Sequence, residues 1–257
     1  MSLGWRTRLH VWCRLLLLQA SWNYQRMQGL GFLFALIPGL RKIYPEEKWR
    51  DVAMRHAGYF NTHPYLAPLV AGAVLKLEEE RAVNGEDRSI DIDDFKEIVA
   101  APYAAIGDAL FWGGLRPLAA GIALLVAVKG IIWAPLIFLV LFNFLPFWFR
   151  IVFFEYGYRQ GIGSVDFIQQ HNLPDWAIRT KEAAVVILGG LCAFLVFSHL
   201  DDHQLPSWPG LLTLVPMILL GWGARRGMST LLLIFITCTM IFVAGIFWAD
   251  VAIFLKL

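Results

Sequence analysis

From Met228 to Ala249 the chain carries no charged side chain, and a run of that length dictates its solvent. A helix rises about 1.5 Å per residue, so roughly 20 apolar residues cross the ~30 Å hydrocarbon core of a bilayer. Gly130 to Phe149 and Ala183 to Leu200 repeat the pattern, and Leu211 to Ala224 is charge-free but shorter. Lys129 separates Gly130 to Phe149 from a further apolar piece that starts at Pro117. With 58% hydrophobic and 16% charged residues, the composition lies far from that of soluble domains. The reading is an all-α integral membrane protein with four to five membrane helices in its C-terminal half, residues 117–257.

Basic loops set the orientation. Arg150, Arg159, Arg179 and Lys181 lie between two apolar runs, and Arg225 and Arg226 at a later junction, whereas DDHQLPSWPG after Leu200 has no lysine or arginine. The positive-inside rule places the basic loops and the N-terminus in the cytoplasm and the Asp201-Asp202 loop and the C-terminus outside. The first 28 residues have a basic front and a short LLLL core with arginines recurring at Arg14 and Arg26. They read as a retained interfacial helix, with Leu9, Trp12, Leu16 and Ala20 on one stripe, rather than a cleaved signal.

Residues 29–116 are different. GLGFLFALIPGL, PYLAPLVAGAVL and IVAAPYAAIGDALFWGG are apolar but short and interrupted by proline or glycine. Such pieces sit at membrane depth only where protein or a polar cavity satisfies the freed backbone groups, as in the broken helices around transporter sites. They are read as re-entrant half-helices joined by aqueous stretches, with an Asn84-Gly85 turn signal and Asp91, Asp93 and Asp94 opening the third. The EEER run, Glu78 to Arg81, reads as a solvated helix end, and SWNYQRMQ, Ser21 to Gln28, as an interfacial helix face.

The chain has no phosphate-binding, zinc-hydrolase, nucleophile-elbow or dinucleotide motif. A net charge of +2 and the lack of a basic block argue against nucleic acid. Cys13, Cys192 and Cys238 are isolated packing residues, so neither a disulfide nor a metal site is expected, and no cofactor.

Two polar constellations remain. In IGDALFWGGLRP, Asp108 and Arg116 are about 12 Å of helix apart, too far for a tight ion pair. They either meet a ligand hydroxyl or water, or cap and snorkel around an interfacial Trp112. In YFNTHPY, Asn61, Thr62 and His63 either face a polar pocket at the mouth of a hairpin or cap the helix that follows.

Taken in order, SWNYQRMQGLGFLFALIPGLRKIYP, RHAGYFNTHPYLAPLVAGAVLKLEEER, IGDALFWGGLRPLAAGIAL and FEYGYRQG resemble the IID membrane component of the mannose/fructose/sorbose family of the bacterial sugar phosphotransferase system. The likeness covers almost the whole chain and treats 1–257 as a single IID-type membrane domain. It implies an inner-membrane subunit paired with a IIC component in a trimer of such pairs. That subunit carries a hexose such as mannose while soluble IIA and IIB proteins handle the phosphoryl group, so this chain is not an enzyme by itself. Carried over by motif, Asn61, Thr62, His63, Asp108, Trp112 and Arg116 are the expected substrate-binding or bracing residues. Two departures stand out: APYAA, Ala101 to Ala105, replaces the usual GPLAG, with Tyr103 the bulkiest change, and the stretch after His171 is compact. The rival readings are a regulatory or scaffold protein of the same fold that moves no sugar, and an intramembrane enzyme, for which no nucleophile and base are paired.

Overall fold

The computed structural model describes residues 2–85, 91–204 and 206–254. Helices α1 (Trp5–Leu15), α2 (Gly29–Ile43), α3 (Trp49–His56), α4 (Ala67–Asn84), α5 (Ile92–Gly107), α6 (Arg116–Val128) and α7 (Ala134–Gln160) are followed by a short α8 (Phe167–Gln170). Then come α9 (Leu173–Asp202), α10 (Trp208–Leu212), α11 (Leu214–Arg225) and α12 (Thr230–Phe254). Among the described residues there is no strand, only two isolated bridges, Asn23 with Met27 and Met27 with Phe60. Four helical runs are long and apolar enough to span a bilayer: Ile92–Val128, Ala134–Asp166, Leu173–Asp202 and Thr230–Phe247, with Gly210–Arg225 as a shorter apolar piece. This is the expected all-α membrane architecture, its long apolar helices in the C-terminal half.

The chain divides into two compact units, Met1–Leu191 and Cys192–Leu257. The first is organised by the crossing of α4 and α7. Their backbones meet where a Cβ on Gly72 would lie 2.3 Å from the Phe154 carbonyl oxygen, and one on Gly157 would lie 2.1 Å from that of Leu69. Both helices bring small residues to the crossing, so dispersion contacts run along the helix backbones themselves, the way apolar helices associate without a hydrophobic driving force from lipid. Ala67, Leu69, Val70, Ala71, Ala73 and Val74 of α4 are all fully buried. The apolar PYLAPLVAGAVL piece is therefore the central post of the unit, shielded by protein rather than lipid.

That burial continues through the sequence that reads as a solvated helix end. Glu78 is fully buried, accepting from Tyr44 Oη at 2.6 Å and bonded to His56 Nε2 at 2.7 Å, with Arg55 Nε at 3.7 Å. Burial raises the Glu78 pKa, but the His56 and Tyr44 hydrogen bonds and the Arg55 charge outweigh it and hold the carboxyl below its usual range; burial likewise pulls the His56 imidazole down. Glu79 accepts from Leu3 N at 2.7 Å and Tyr158 Oη at 2.6 Å, tying the N-terminal segment to α4 and α7. One turn of α4 thus carries the two carboxylates that α2, α3, α7 and the N-terminus converge on. Buried charge is tolerable here because each is hydrogen-bonded or paired.

The face of α1 that packs inward is Val11 and Leu15, with Trp12 partly buried beside them, while Leu9 and Leu16 stay exposed. One further expectation changes. The third broken segment is continuous: α5 passes through a π-wound stretch, Asp108–Leu115, straight into α6. Pro117 has no N–H to return to the Gly113 carbonyl, and the chain accommodates it by widening the preceding turns. The break is one of winding. Asp91 opens α5 as anticipated, its carboxylate accepting from Asp93 N at 3.2 Å. Gly85 closes α4 with φ 78°, and the rest of that predicted turn, 86–90, lies outside the described residues.

In the second unit, α10 and α11 form a hairpin partner for the end of α9, with Gly210 against Phe197 and Leu200. No residue of Thr230–Phe247 is buried within the chain, so α12 is apolar on a face that only lipid or another chain covers.

Replacing Gly157 by valine puts carbon into the Leu69 carbonyl and forces α4 and α7 apart. The expected loss is about 3 kcal/mol or more, read as a lower unfolding temperature in detergent and a smaller membrane-inserted yield, whereas Gly189→Ala, in open space, leaves both unchanged.

Candidate functional site

The loop from Ala57 to Leu66, between α3 and α4, is held by the turn before α2. Asn23 Oδ1 accepts from the Gln25 and Arg26 amides at 3.1 and 2.9 Å, and Met27 takes the left-handed φ of 49° that the turn requires. The SWNYQRMQ run is therefore a turn, not a helix face. From it Gln28 N donates to Phe60 O at 2.8 Å, and Phe60 N to Arg26 O at 3.3 Å. The buried Gln28 side chain then reads the Thr62 backbone twice, Nε2 donating to Thr62 O at 2.8 Å and Oε1 accepting from Thr62 N at 3.1 Å. Phe32 stacks on Phe60 with centroids 4.0 Å apart. A non-helical stretch at this depth needs its peptide groups paired, and Gln28 supplies that pairing.

His63 follows, 1% exposed. Its carbonyl accepts from Leu66 N and Ala67 N, both at 2.9 Å, and so starts α4. Its ring stacks on Phe111 at 5.0 Å with planes 17° apart, and lies 5.3 Å from Trp112. Gly107 lets the ring in: a Cβ there would sit 2.3 Å from His63 Cβ and Cγ. Nδ1 accepts from Tyr65 N at 3.2 Å, which leaves the ring proton on Nε2. Nε2 is buried without a hydrogen-bond partner, 3.9 Å from Asp108 Oδ1. Burial first, and then the Arg150 charge, bring the His63 pKa down to about 4, so the imidazole is neutral at pH 7 and Nε2–H is a fixed donor beside a carboxylate.

In front of this wall lies a cavity of about 840 Å³, within the roughly 300–1,000 Å³ of ligand clefts. Asn61 and Asp108 both line it, facing Arg55, Lys96 and the alanines 100, 101, 104 and 105 of α5. The Asp108 side chain is 62% exposed, so its oxygens are free to accept. Lys96 is engaged with Asp93 at 2.5 Å.

Six residues singled out by sequence are thus placed differently. Asn61 and Asp108 share the cavity, and His63 stands behind Asp108. Trp112, 39% exposed, flanks His63, and the Arg116 guanidinium lies 5.7 Å from the centre of its ring. Thr62 turns inward, 3% exposed, its Oγ1 unpartnered. Of the APYAA departure, Ala101, Ala104 and Ala105 line the cavity, whereas Tyr103 points away, buried, donating to Ser164 O at 3.0 Å. Gln28, Tyr65, Phe111 and Arg150 carry the site's support, with Arg150 inside α7 and its guanidinium 4.5 Å from the Tyr65 ring centre. As an interfacial loop arginine by sequence, Arg150 gave no sign of that role.

The sequence profile of the phosphotransferase system mannose/fructose/sorbose family IID component matches residues 3–249. The chain belongs to that family. It is 40% identical over 157 residues to the mannose-specific EIID component of Escherichia coli K12, a match covering 60% of this chain and 56% of that protein. It is 30% identical to the fructose permease IID component of Bacillus subtilis over 254 residues, 90% of this chain and 91% of that one. Among solved structures it resembles a chain of the mannose transporter ManYZ in complex with microcin E492, at TM-score 0.59 and 30% identity over 95% of this chain and 96% of that one. A second, described only as a membrane protein, superposes at TM-score 0.76 and 30% identity over 95% and 97%. In this IID chain, the compact HNLPDW stretch is a left-handed Asn172 followed directly by α9.

Gln28→Leu strips both amide bonds from Thr62 and strands two peptide groups. The expected destabilisation is about 2 kcal/mol, seen as a lower unfolding temperature, together with protease cleavage in the 57–66 loop that the wild type resists.

Proposed function

We propose that this chain is the membrane-embedded, non-catalytic IID subunit of a sugar phosphotransferase transporter, translocating a hexose such as mannose together with a IIC partner. Soluble IIA and IIB proteins carry the phosphoryl group to the sugar, and the membrane part is a trimer of IIC–IID pairs. The N-terminus lies in the cytoplasm and the C-terminus outside, in the inner membrane of a bacterium. Support comes from the family match, from the mannose and fructose relatives, and from the likeness to a chain of a mannose transporter.

The observation that carries the reading is the pairing of an unpartnered buried donor, His63 Nε2–H, with the exposed Asp108 carboxylate at the wall of a cavity that Asn61 also lines. A sugar offers vicinal hydroxyls that donate and accept. Asp108 accepts from two of them and Asn61 donates and accepts, while His63, buried behind Asp108, braces the wall from which that carboxylate projects. Trp112 offers an aromatic face to the apolar side of the ring, and Arg116 holds that indole from beyond. Thr62 positions the loop. The IIC partner closes the open side of the cavity.

Hexose uptake by cells that also carry the IIC partner tests this. Each charge-assisted hydrogen bond lost should cost about 1.5–3 kcal/mol, so Asp108→Asn weakens apparent affinity roughly 10- to 100-fold, and Asn61→Ala less. Wild-type affinity in both removes them from the site; no uptake by the wild type with its partner present favours a scaffold of the same fold.

A further inference from the structure

The end of α9 carries a feature that sugar transport does not use. His199 and His203 are four residues apart, and His203 N donates to His199 O at 3.3 Å, so the helical turn between them is closed and both rings leave the same face. Their ring centroids are 4.5 Å apart with planes at 66°. Both are exposed, so the pair meets water and not the core.

Two imidazoles one helical turn apart on an exposed face can reach a single ion, each metal–nitrogen bond being about 2.0–2.1 Å. Imidazole suits first-row divalent ions, whose affinity peaks at Cu(II), above Ni(II) and Zn(II), and tetragonal nitrogen and oxygen coordination is the geometry of Cu(II) and Ni(II). No group of three or more His, Cys, Asp or Glu side chains gathers to hold an ion among the described residues, so water completes the set and the ion exchanges readily.

We propose that His199 and His203 form a chelating site for a tetragonal divalent transition ion, Cu(II) before Ni(II), at the end of α9. It shares no residue with the cavity that Asn61 and Asp108 line. Imidazole must be neutral to bind, so protons compete with the metal and acid weakens the site.

The test is a Cu(II) titration of the untagged full-length chain in detergent, followed by electron paramagnetic resonance. The expected result is a tetragonal spectrum with splitting from two nitrogens, and an affinity at least ~10-fold lower in His203→Ala, since the second ring binds intramolecularly. The pair His199→Ser with Ser198→His keeps the histidine count but turns the first ring about 100° round the axis of α9, and should lose as much. Unchanged thermal unfolding in these variants separates metal loss from misfolding. Equal affinity in wild type and in His199→Ala with His203→Ala overturns the proposal, as does a one-nitrogen spectrum or displacement of Cu(II) by equimolar Zn(II).

Discussion

The contact between α4 and α7 through Gly72 and Gly157 is what the first unit is built on. Neither helix can come that close with a side chain in the way, since a Cβ on Gly72 or Gly157 would come 2.3 or 2.1 Å from a carbonyl oxygen of the other helix, well inside van der Waals contact. Close approach makes α4 a buried post, and a buried post needs partners for the carboxylates that its sequence carries. Glu78 and Glu79 acquire them from α2, α3, the N-terminus and α7. The same post begins at His63, so the position of the candidate site follows from the crossing.

The site itself is a polar edge on an aromatic block. Tyr65, Phe111 and Trp112 pack around His63, and Phe149 and Phe153 continue the block along α7. Apolar rings on this scale hold an imidazole neutral and fix its direction, while the π-wound stretch sets Asp108 outward and Phe111 inward over adjacent turns. Widened turns of this kind recur where a helix must present a side chain that regular winding would turn away. A rigid wall, one aimed N–H and one free carboxylate are the parts a neutral polyol needs, and the alanine face of α5 leaves room for it.

Much of this was legible in the residues. Charge-free runs marked the long helices, and the motifs around Asn61 and Asp108 pointed to two segments that share one cavity although 47 positions separate their numbers. What escaped was everything decided by burial of polar groups. Glu78 reads as solvated because carboxylates usually are, and nothing local reveals that Tyr44, His56 and Arg55 will surround it. Gln28 and Arg150 were hidden for the same reason: their partners, the Thr62 backbone and the Tyr65 ring, are distant in sequence. Continuity from α5 to α6 was missed because a proline usually ends a helix, whereas here the preceding turns widen instead.

The central claim is that the cavity in front of His63 is wet and holds a hexose. Cysteine labelling measures both properties at once, in cells that carry the IIC partner and in a background whose Cys13, Cys192 and Cys238 are alanine. Ala104→Cys, on the cavity wall, should react with a water-soluble maleimide and be protected by saturating hexose, while Phe144→Cys, exposed on the apolar side of α7, should stay unreactive with or without sugar. An Ala104→Cys variant that reacts no faster than Phe144→Cys, or that hexose leaves unprotected, contradicts the account.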